Sequence, residues 1–273
     1  QASATNGRRM SPEGFTTAGR ASGRVRATGR NDDLRTMDAD LAIARLDFAD
    51  AAGALAGEAV AGALKIKLVA DRSGDFATDG RLTLNGGQAY GDPLFLDFGA
   101  HRMSVDFAGL LSSDASQFLA REFSLVHDGV ASVSGSATLD LIGETMLQQA
   151  KLAIPDLDLA NALPAYVQPY LIGTSLKDLE GRGHVRGEVD VAAGLPTRAV
   201  LTFEGVTLDS QTGSVSVNGL GGTLNWFDDS LRSELAGQID DDSFRSSMTW
   251  ESASLWGIEI GAVELPFTTT GRN

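Results

Sequence analysis

The sequence predicts an all-β protein, a long antiparallel meander that curls into an elongated hydrophobic groove (a β-taco or repeating β-groove) with one short helical insertion. Apolar and polar side chains alternate over many short stretches, and turn signals separate these stretches at short intervals. Alternation with a period of two is typical of strands that bury one face and keep the other in water. Glycine is abundant at 32 residues against 7 prolines, and it falls at turns and inside strands.

The clearest predicted strand runs from Leu179 to Val191. Its odd positions are apolar or glycine, and its even positions are charged or histidine. Because successive side chains point to opposite faces of a strand, this pattern predicts one apolar face and one wet face. A helix would spread the charges around its circumference, and each interior glycine would weaken it by about 1 kcal/mol. Two further strands are expected at residues 199–209 and 214–226.

Weaker alternation predicts strands on both sides of this region. The Asp128-Gly129 pair predicts a hairpin turn, Asn85-Gly86-Gly87 predicts a second turn, and residues 49–62 fit a short helix or a loop. The remaining predicted strands lie near residues 39–48, 64–70, 82–84, 94–98, 103–107, 123–127, 132–141, 146–152, 231–239, 244–251 and 255–265.

One helical insertion is predicted at about residues 157–172. Asp156 and Asp158 are suitable N-caps, and apolar residues then recur at helical spacing. Pro164 and Pro169 predict a kink or two short turns. Such a helix either packs as a plug or contacts a lipid surface, and both interpretations stay open from the sequence.

Glycines within the strands predict local irregularities. Gly181 and Gly187 stand on the apolar face, where interior glycine indicates a bend, a bulge or the close approach of another element. The apolar phase slips at Gly205 and again at Gly219, which indicates β-bulges that curve the sheet.

Two segments are predicted along the chain. Residues 1–35 hold seven arginines among Gly, Ser, Thr and Ala, and most of them are interpreted as a flexible basic segment, either a solvated linker or a tail on a lipid surface. Val25 and Ala27 alone fit a short edge strand. Residues 36–273 are expected to form one continuous β-groove domain. The sequence starts at Gln1 without a signal sequence, so we interpret it as a piece of a longer protein.

Composition excludes several functions. The net charge of −14 argues against nucleic acid as a partner, and the absence of cysteine excludes thiolate metal sites and cysteine nucleophiles. No catalytic, phosphate-binding or dinucleotide-binding motif occurs, and the three histidines are widely separated in the sequence. The acidic runs at Asp228 and Asp240 are better explained as solvated turns than as calcium sites. We therefore expect no enzyme activity, no metal and no cofactor.

Three segments, 176–188, 201–209 and 217–226, resemble the AsmA-like proteins of Gram-negative envelopes. Within that superfamily they are most similar to the YdbH/TamB type, and the run Leu-Thr-Leu-Asn-Gly-Gly-Gln-Ala at 82–89 favours the YdbH choice. The leucine- and proline-containing helix that precedes the strand at 179 also fits this resemblance. These motifs cover about a third of the chain, and none of them is catalytic.

The resemblance implies an intermembrane phospholipid transport protein in the periplasm, anchored to the inner membrane by a segment outside this chain. Its partners would be phospholipid acyl chains, the inner and outer membranes through regions outside this chain, and an envelope protein. The alternation predicts which side chains line the groove: Leu139, Leu141, Val185, Val189, Val191, Leu201, Phe203, Val206, Leu208, Val215, Val217, Leu224, Trp226, Leu235, Ile239, Met248 and Trp250.

The main alternative is a structural β-sandwich or β-solenoid stalk of an envelope or surface protein with no ligand. The two hypotheses differ in what covers the apolar face, since a groove leaves it accessible and a sandwich packs side chains against it. An enzyme such as a β-helical glycan hydrolase would need convergent carboxylates, and the sequence places none together on a sheet face.

Overall fold

Among the residues that the structure describes, sixteen strands form one antiparallel sheet that does not close, and strand accounts for about 70% of these residues. The structure is a computed structural model that describes residues 15–30, 33–143, 145–236, 238 and 240–269. The sheet follows the chain order closely, because nearly every strand pairs with its neighbour in sequence. This confirms the predicted all-β meander.

The chain divides into two compact units. The first unit comprises the chain up to Asp128 together with Thr138–Gly143, and the second comprises Gly129–Ala137 and the remainder. Strands of the first unit are β1 (Phe15–Arg30), β2 (Asp33–Asp50), β3 (Leu55–Ala70), β4 (Phe76–Gly91), β5 (Leu94–Asp97), β6 (Met103–Leu111) and β7 (Gln117–His127). Strand β8 (Ala131–Asp140) belongs to the second unit up to Ala137.

The second unit contains the helical insertion. Its further strands are β9 (Leu147–Asp158), β10 (Leu179–Ala192), β11 (Leu195–Ser210), β12 (Val215–Phe227), β13 (Arg245–Trp250), β14 (Ser252–Leu255), β15 (Ile258–Ile260) and β16 (Val263–Thr268). Its helices are α1 (Leu159–Ala162), α2 (Gln168–Leu171) and α3 (Asp229–Leu235), with a π-helical turn at Leu163–Val167 and a 3₁₀ turn at Asp241–Phe244.

The helical insertion begins and breaks as the sequence predicts. The Asp158 carboxylate accepts a hydrogen bond from the Ala160 N–H at 3.0 Å, which caps α1. Pro164 stands in the π-helical turn and Pro169 in α2, so the segment consists of three short turns. A proline removes one backbone donor and clashes with the preceding turn, which explains the interruptions.

Strand β1 corrects the prediction of a flexible segment over residues 1–35. Residues 15–30 pair with β2 along their length, and residues 1–14 lie outside the described part of the chain. Val25 lies opposite Ala39, while Arg24 and Arg26 lie opposite carboxylates of β2. Opposite charges directly across a strand pair stabilise it, so the arginines that indicated a solvated segment instead favour pairing.

Two local predictions in the first unit are wrong. Residues 49–62 form the end of β2, a turn and the start of β3 rather than a helix or a loop. Asn85-Gly86-Gly87 lies inside β4, where the register with β3 shifts. A Cβ on Gly87 would lie 2.4 Å from the Ala59 carbonyl carbon, so this glycine permits a close approach of two strands and not a turn.

Helix α3 corrects the strand predicted at 231–239. The Asp228 carboxylate accepts a hydrogen bond from the Leu231 N–H at 2.6 Å, which caps the helix. Leu231 and Leu235 are four residues apart, a spacing that fits one face of a helix as well as alternate positions of a strand. The N-cap decides between the two, because a strand would leave the Asp228 carboxylate without this donor.

Candidate functional site: two apolar sheet faces

The first apolar face is a set of aligned rows that cross β1, β2, β3, β4, β6 and β7. Residues directly opposite each other in an antiparallel pair point to the same face, so register identifies the rows. The rows are Ala21–Ile43–Gly62–Leu84–Met103–His127, Gly23–Leu41–Leu64–Leu82–Val105–Leu125 and Val25–Ala39–Ile66–Gly80–Phe107–Phe123.

Side chains in the middle of this face are half-buried. Leu64, Leu82, Val105 and Leu125 lie opposite one another along a row, and each keeps part of its surface accessible. A closed sandwich would cover such a row with a facing sheet about 10 Å away. Among the described residues, the cluster of buried apolar side chains in this unit draws on adjacent strands and one local cap.

The local cap is the segment that follows β5. Phe98 packs with Val60 and Met103 in a buried cluster at one end of the first apolar face. The Phe98 N–H donates to the Gly87 carbonyl at 3.0 Å, which holds the segment against β4. The cap therefore covers the end of the first apolar face near Met103 and leaves the middle of that face accessible.

Two histidines meet beside this cap, although they are far apart in sequence. The rings of His101 and His127 pack edge to face with centroids 5.8 Å apart. Nδ1 of His101 donates to the Asp128 carbonyl oxygen at 3.0 Å. Burial lowers the pKa of His127 below its ordinary value of 6.5, and the neighbouring His101 lowers it further. His127 is thus held neutral within an apolar environment.

The opposite face of the first unit is charged. One of its rows runs Arg24–Asp40–Lys65–Arg81–Asp106–Ser124 across the same strands. Lys65 lies 3.6 Å from Asp40, and Nη2 of Arg81 donates to Asp106 at 2.9 Å. A cavity of about 590 Å³ is lined by charged side chains of this row and also by the apolar row that contains Ile66 and Phe107. Its charged side chains form ion pairs across the strands, as expected of a solvated sheet surface.

The second apolar face crosses β9 to β13. Its longest row is Leu157–Val185–Phe203–Gly222–Met248–Leu265, and neighbouring rows are Ile154–Gly187–Leu201–Leu224 and Leu152–Val189–Ala199–Trp226. Most of the predicted lining residues therefore share one face of the second unit. Val191 and Trp250 continue this face two residues beyond Val189 and Met248 on the same strands.

Bulges keep the second apolar face in phase. The register of β11 with β12 shifts between Phe203 and Val206, and again between Val206 and Leu208. Gly205 and Gly219 stand at these shifts with φ of +57° and +65°, a conformation that glycine adopts without strain. Val206, Leu208 and Leu220 consequently remain in the same buried cluster as Phe203. The two bulges predicted from the sequence are confirmed.

The helical insertion covers one end of the second apolar face. Leu159 of α1 packs on Val185 and Val206, and Val206 is 0% exposed. Gly181 makes this contact possible, because a Cβ there would lie 2.9 Å from Cδ1 of Leu163. The glycine therefore marks the close approach of the helix, one of the readings that the sequence left open.

The opposite face of the second unit is charged and exposed. Glu180, Arg182, Arg186 and Glu188 all point to water, as the alternation predicts. Arg186 donates to Glu204 at 3.0 Å, Arg198 donates to Glu188 at 3.0 Å, and His184 lies 2.8 Å from Asp156. These cross-strand pairs are those of a wet sheet surface.

Four predicted lining residues are not placed on the second apolar face. Leu139 and Leu141 belong to the first unit, and Leu141 lies past the end of β8. Leu235 is on α3 and not on the sheet. Ile239 lies outside the described residues. Register also aligns Val217 with Leu208, and Val215 with Leu255, at the end of the face nearest the helical insertion.

The sequence-based list of lining residues omits the first apolar face. The sequence contains the alternation that indicates this face. Leu64, Ile66 and Leu68 alternate with Lys65 and Lys67 as regularly as the apolar and charged residues of β10 do. Pairing with β2 and β4 turns this local alternation into rows, and that pairing depends on residues far away in sequence.

The acidic turns have structural roles in the described part of the chain. Asp228 caps α3, and the Asp240 carboxylate accepts from the Asp242 N–H at 3.2 Å to cap the 3₁₀ turn. No group of three or more His, Asp or Glu side chains among the described residues is arranged to hold a metal ion. None of the helices in this part of the chain is both long and apolar enough to cross a membrane.

Comparison of the chain with protein-family models, with curated proteins and with solved structures found no match.

Proposed function

We propose that the protein binds phospholipid acyl chains along its two apolar sheet faces and conducts them between the inner and outer membranes of a Gram-negative envelope. The observation that carries this proposal is the set of aligned apolar rows whose side chains stay partly accessible. Apolar surface of this extent is costly to expose to water, and on a protein surface it indicates a ligand or partner.

The small size of the buried core supports an open face over a sandwich. Val206 is the largest side chain with no accessible surface in the described part of the chain, and larger buried side chains such as Phe98 and Leu159 belong to the local cap and the helical insertion. Two sheets packed face to face would interdigitate their inner side chains and bury Leu, Ile and Phe completely. Here such residues are half-buried along the rows, as Leu82 and Phe203 are.

The chemistry of the rows fits acyl chains. The row Leu41–Leu64–Leu82–Val105–Leu125 on the first face contains only aliphatic side chains, while the neighbouring row ends at the buried His127. Acyl chains need no hydrogen-bond partners, whereas a docked polypeptide backbone does. Strands β3 and β4 have 16 residues each, and at about 3.3 Å per residue a strand of that length spans roughly 50 Å, more than an extended acyl chain.

The proposal includes the periplasm as the location of the protein. Phospholipid that crosses an aqueous compartment needs a carrier with an apolar interior and a solvated exterior, and the charged faces supply the second property. The resemblance to AsmA-like proteins supports a periplasmic location and an anchor in the inner membrane. The charged rows at Arg81 and at Arg186 would then face the periplasmic water.

Site-specific photo-crosslinking in cells tests the proposal. A photoreactive residue at Leu82 or Val189, on the open parts of the two faces, is expected to capture phospholipid. The same residue at Arg81 or Glu188, one position away on the charged faces, provides the matched control and should capture none. Val185 is 4% exposed beneath the helical insertion, so a crosslinker there should capture little.

Two outcomes would contradict the proposal. Equal capture at Val189 and Glu188 would mean that lipid contacts are unspecific. Absence of lipid at both Leu82 and Val189 in a folded protein would favour the structural stalk without a ligand.

A further inference from the structure

We propose that one end of the second unit docks on the surface of a lipid bilayer through four exposed side chains, Tyr170, Ile172, Trp256 and Ile258. These residues are called the apolar rim. They project from the end of the helical insertion and from the turn between β14 and β15. The proposal goes beyond lipid conduction and does not depend on it, because docking on an intact bilayer requires no lipid to leave it.

Exposure distinguishes the rim from the apolar faces. Tyr170 is 62% exposed, Ile172 76%, Trp256 72% and Ile258 68%, while side chains in the middle of the rows, such as Leu82 and Leu201, are half-buried. Large apolar side chains clustered in this way are costly to leave in water. Tyr and Trp combine an apolar ring with a polar atom, which suits the boundary between headgroups and acyl chains.

A network of hydrogen bonds brings the rim segments together at the same end of the strands. The backbone N–H of Trp256 donates to the Ser214 carbonyl at 2.9 Å, and the Ser214 hydroxyl donates to the Ser175 carbonyl at 3.1 Å. Ser175 follows Ile172 by three residues. The turn that carries Trp256 is therefore tied to the loop that carries Ile172 through Ser214.

Asp178 fixes the same loop to β11. Its carboxylate accepts from the Ser210 hydroxyl and from the Thr212 N–H, both at 2.7 Å. The Ser210 hydroxyl contributes most to lowering the pKa of Asp178, so the carboxylate stays ionised down to more acidic pH. Ser210 and Ser214 are both buried. The rim residues thus extend from a rigid base and not from free loops.

The rim continues the second apolar face. Val215 of β12 lies opposite Leu255 of β14, and Leu255 lies opposite Ile258 of β15. Ile258 is therefore the outermost, most exposed member of a row that starts on the half-buried face. Tyr170 lies in α2 and Ile172 directly follows that helix, at the end of the helical insertion that packs on the same end of the second apolar face.

Charge indicates which bilayer surface the rim fits. The rim segments carry Lys177 against Asp178 and Glu259, without a cluster of basic residues. Binding to anionic headgroups relies on several lysines or arginines near the surface. The rim instead fits a zwitterionic bilayer, which it would contact by apolar insertion, and such binding depends weakly on salt.

Vesicle flotation tests the proposal with the full chain and phosphatidylcholine vesicles. Wild type is expected to float with the vesicles at both low and high salt. A variant with Tyr170→Ser, Ile172→Ser, Trp256→Ser and Ile258→Ser should bind at least about tenfold more weakly, because the inserted apolar area is lost. The matched control replaces Met146 and Leu195 with Ser; they are 61% and 62% exposed near the other end of β9 to β11. The control should bind as wild type.

Fluorescence of Trp256 gives a readout that a folding defect would not imitate. In a chain with Trp226→Phe and Trp250→Phe, vesicles should shift the emission of Trp256 to shorter wavelength and protect it from iodide. Circular dichroism of each variant verifies the strand content.

Several results would overturn the inference. These are a wild type that does not float, a rim variant that floats as well as wild type, and a control variant that loses binding equally. Trp256 that remains open to iodide while the chain floats would also overturn it. Recruitment of another protein to the rim without vesicle binding would assign the rim to a protein partner instead.

Discussion

The two units present apolar rows of the same kind, but they differ in how the rows are covered. In the second unit, Leu159 packs over Val185 and Val206, so that a helix and a sheet form a small closed core. In the first unit, Phe98 covers only the end near Met103, and the row through Leu82 stays half-buried. The difference shows that a single sheet can carry a local core and an open face with one alternation pattern.

Glycines on the apolar faces serve two purposes, and each unit contains both kinds. A Cβ on Gly62 would lie 2.0 Å from the Thr83 carbonyl oxygen of the neighbouring strand, whereas a Cβ on Gly181 would meet the end of the flexible Leu163 side chain. The first glycine lets two strands approach, and the second makes room for the helical cap. Gly80 of the first unit faces the Phe107 ring, and Gly187 of the second unit faces the Val200 carbonyl oxygen, so both kinds of contact occur in each unit.

The largest expected difference between the units comes from a buried charge. Val206→Asp should unfold the second unit, because an unpaired carboxylate beneath the helical cap costs several kcal/mol. Leu82→Asp in the first unit should cost only about 1–2 kcal/mol, since water reaches the open face. All three tryptophans belong to the second unit, so their fluorescence in urea follows that unit. Circular dichroism follows both units. Equal losses for the two variants would mean that the first face is closed.

Alanine substitutions at Gly62 and Gly181 should distinguish the close approach of two strands from the packing of the helical insertion. Gly62→Ala is expected to destabilise the first unit by about 2–3 kcal/mol, because the clash is with backbone. Gly181→Ala should cost less than about 1 kcal/mol, since the Leu163 side chain can rotate away. The urea midpoints of the two variants measure the difference. A larger loss for Gly181→Ala would show that the helical cap is more rigid than its contacts indicate.

Acid should destabilise the first unit through His127. Its pKa is lowered in the folded protein, chiefly by burial, so the unfolded chain takes up the proton first as the pH falls. The stabilisation that the neutral His127 ring contributes is complete above about pH 6.5. Below that pH the free energy of unfolding decreases by at most about 1.4 kcal/mol per pH unit. The melting temperature between pH 8 and pH 5 measures the slope. His127→Gln should reduce this slope; an unchanged slope would assign it to other groups.

Removal of a surface ion pair should have the smallest effect, and it should be the same in both units. Arg81→Gln breaks the pair with Asp106, and Arg186→Gln breaks the pair with Glu204. Both pairs are largely exposed, and screening by water leaves such pairs with little net stabilisation. The urea midpoints should stay within experimental error of wild type. A clear loss for Arg81→Gln alone would indicate that the charged face of the first unit has a further role.

Several features of this protein follow from the sequence alone. Alternation between Leu179 and Val191 identifies a strand and its wet face, because the period of two is a local property of an extended backbone. The glycines at 205 and 219 identify bulges by the phase on either side of them, and Asp158 identifies the start of the helical insertion. Each of these predictions needs only residues a few positions apart.

Other features are decided by residues that are distant in sequence. Strand β1 is recognised only when it is aligned with β2, which places Arg24 and Arg26 opposite carboxylates. The role of Gly181 is likewise recognised only once Leu163 lies over it. The first apolar face exists because β2, β3, β4, β6 and β7 align their alternations in register. A strand pattern states which side chains share a face, but only the tertiary structure decides which strand is its neighbour and what covers that face. The same alternation of apolar and polar residues therefore gives a core beneath α1 and an open surface at Leu82.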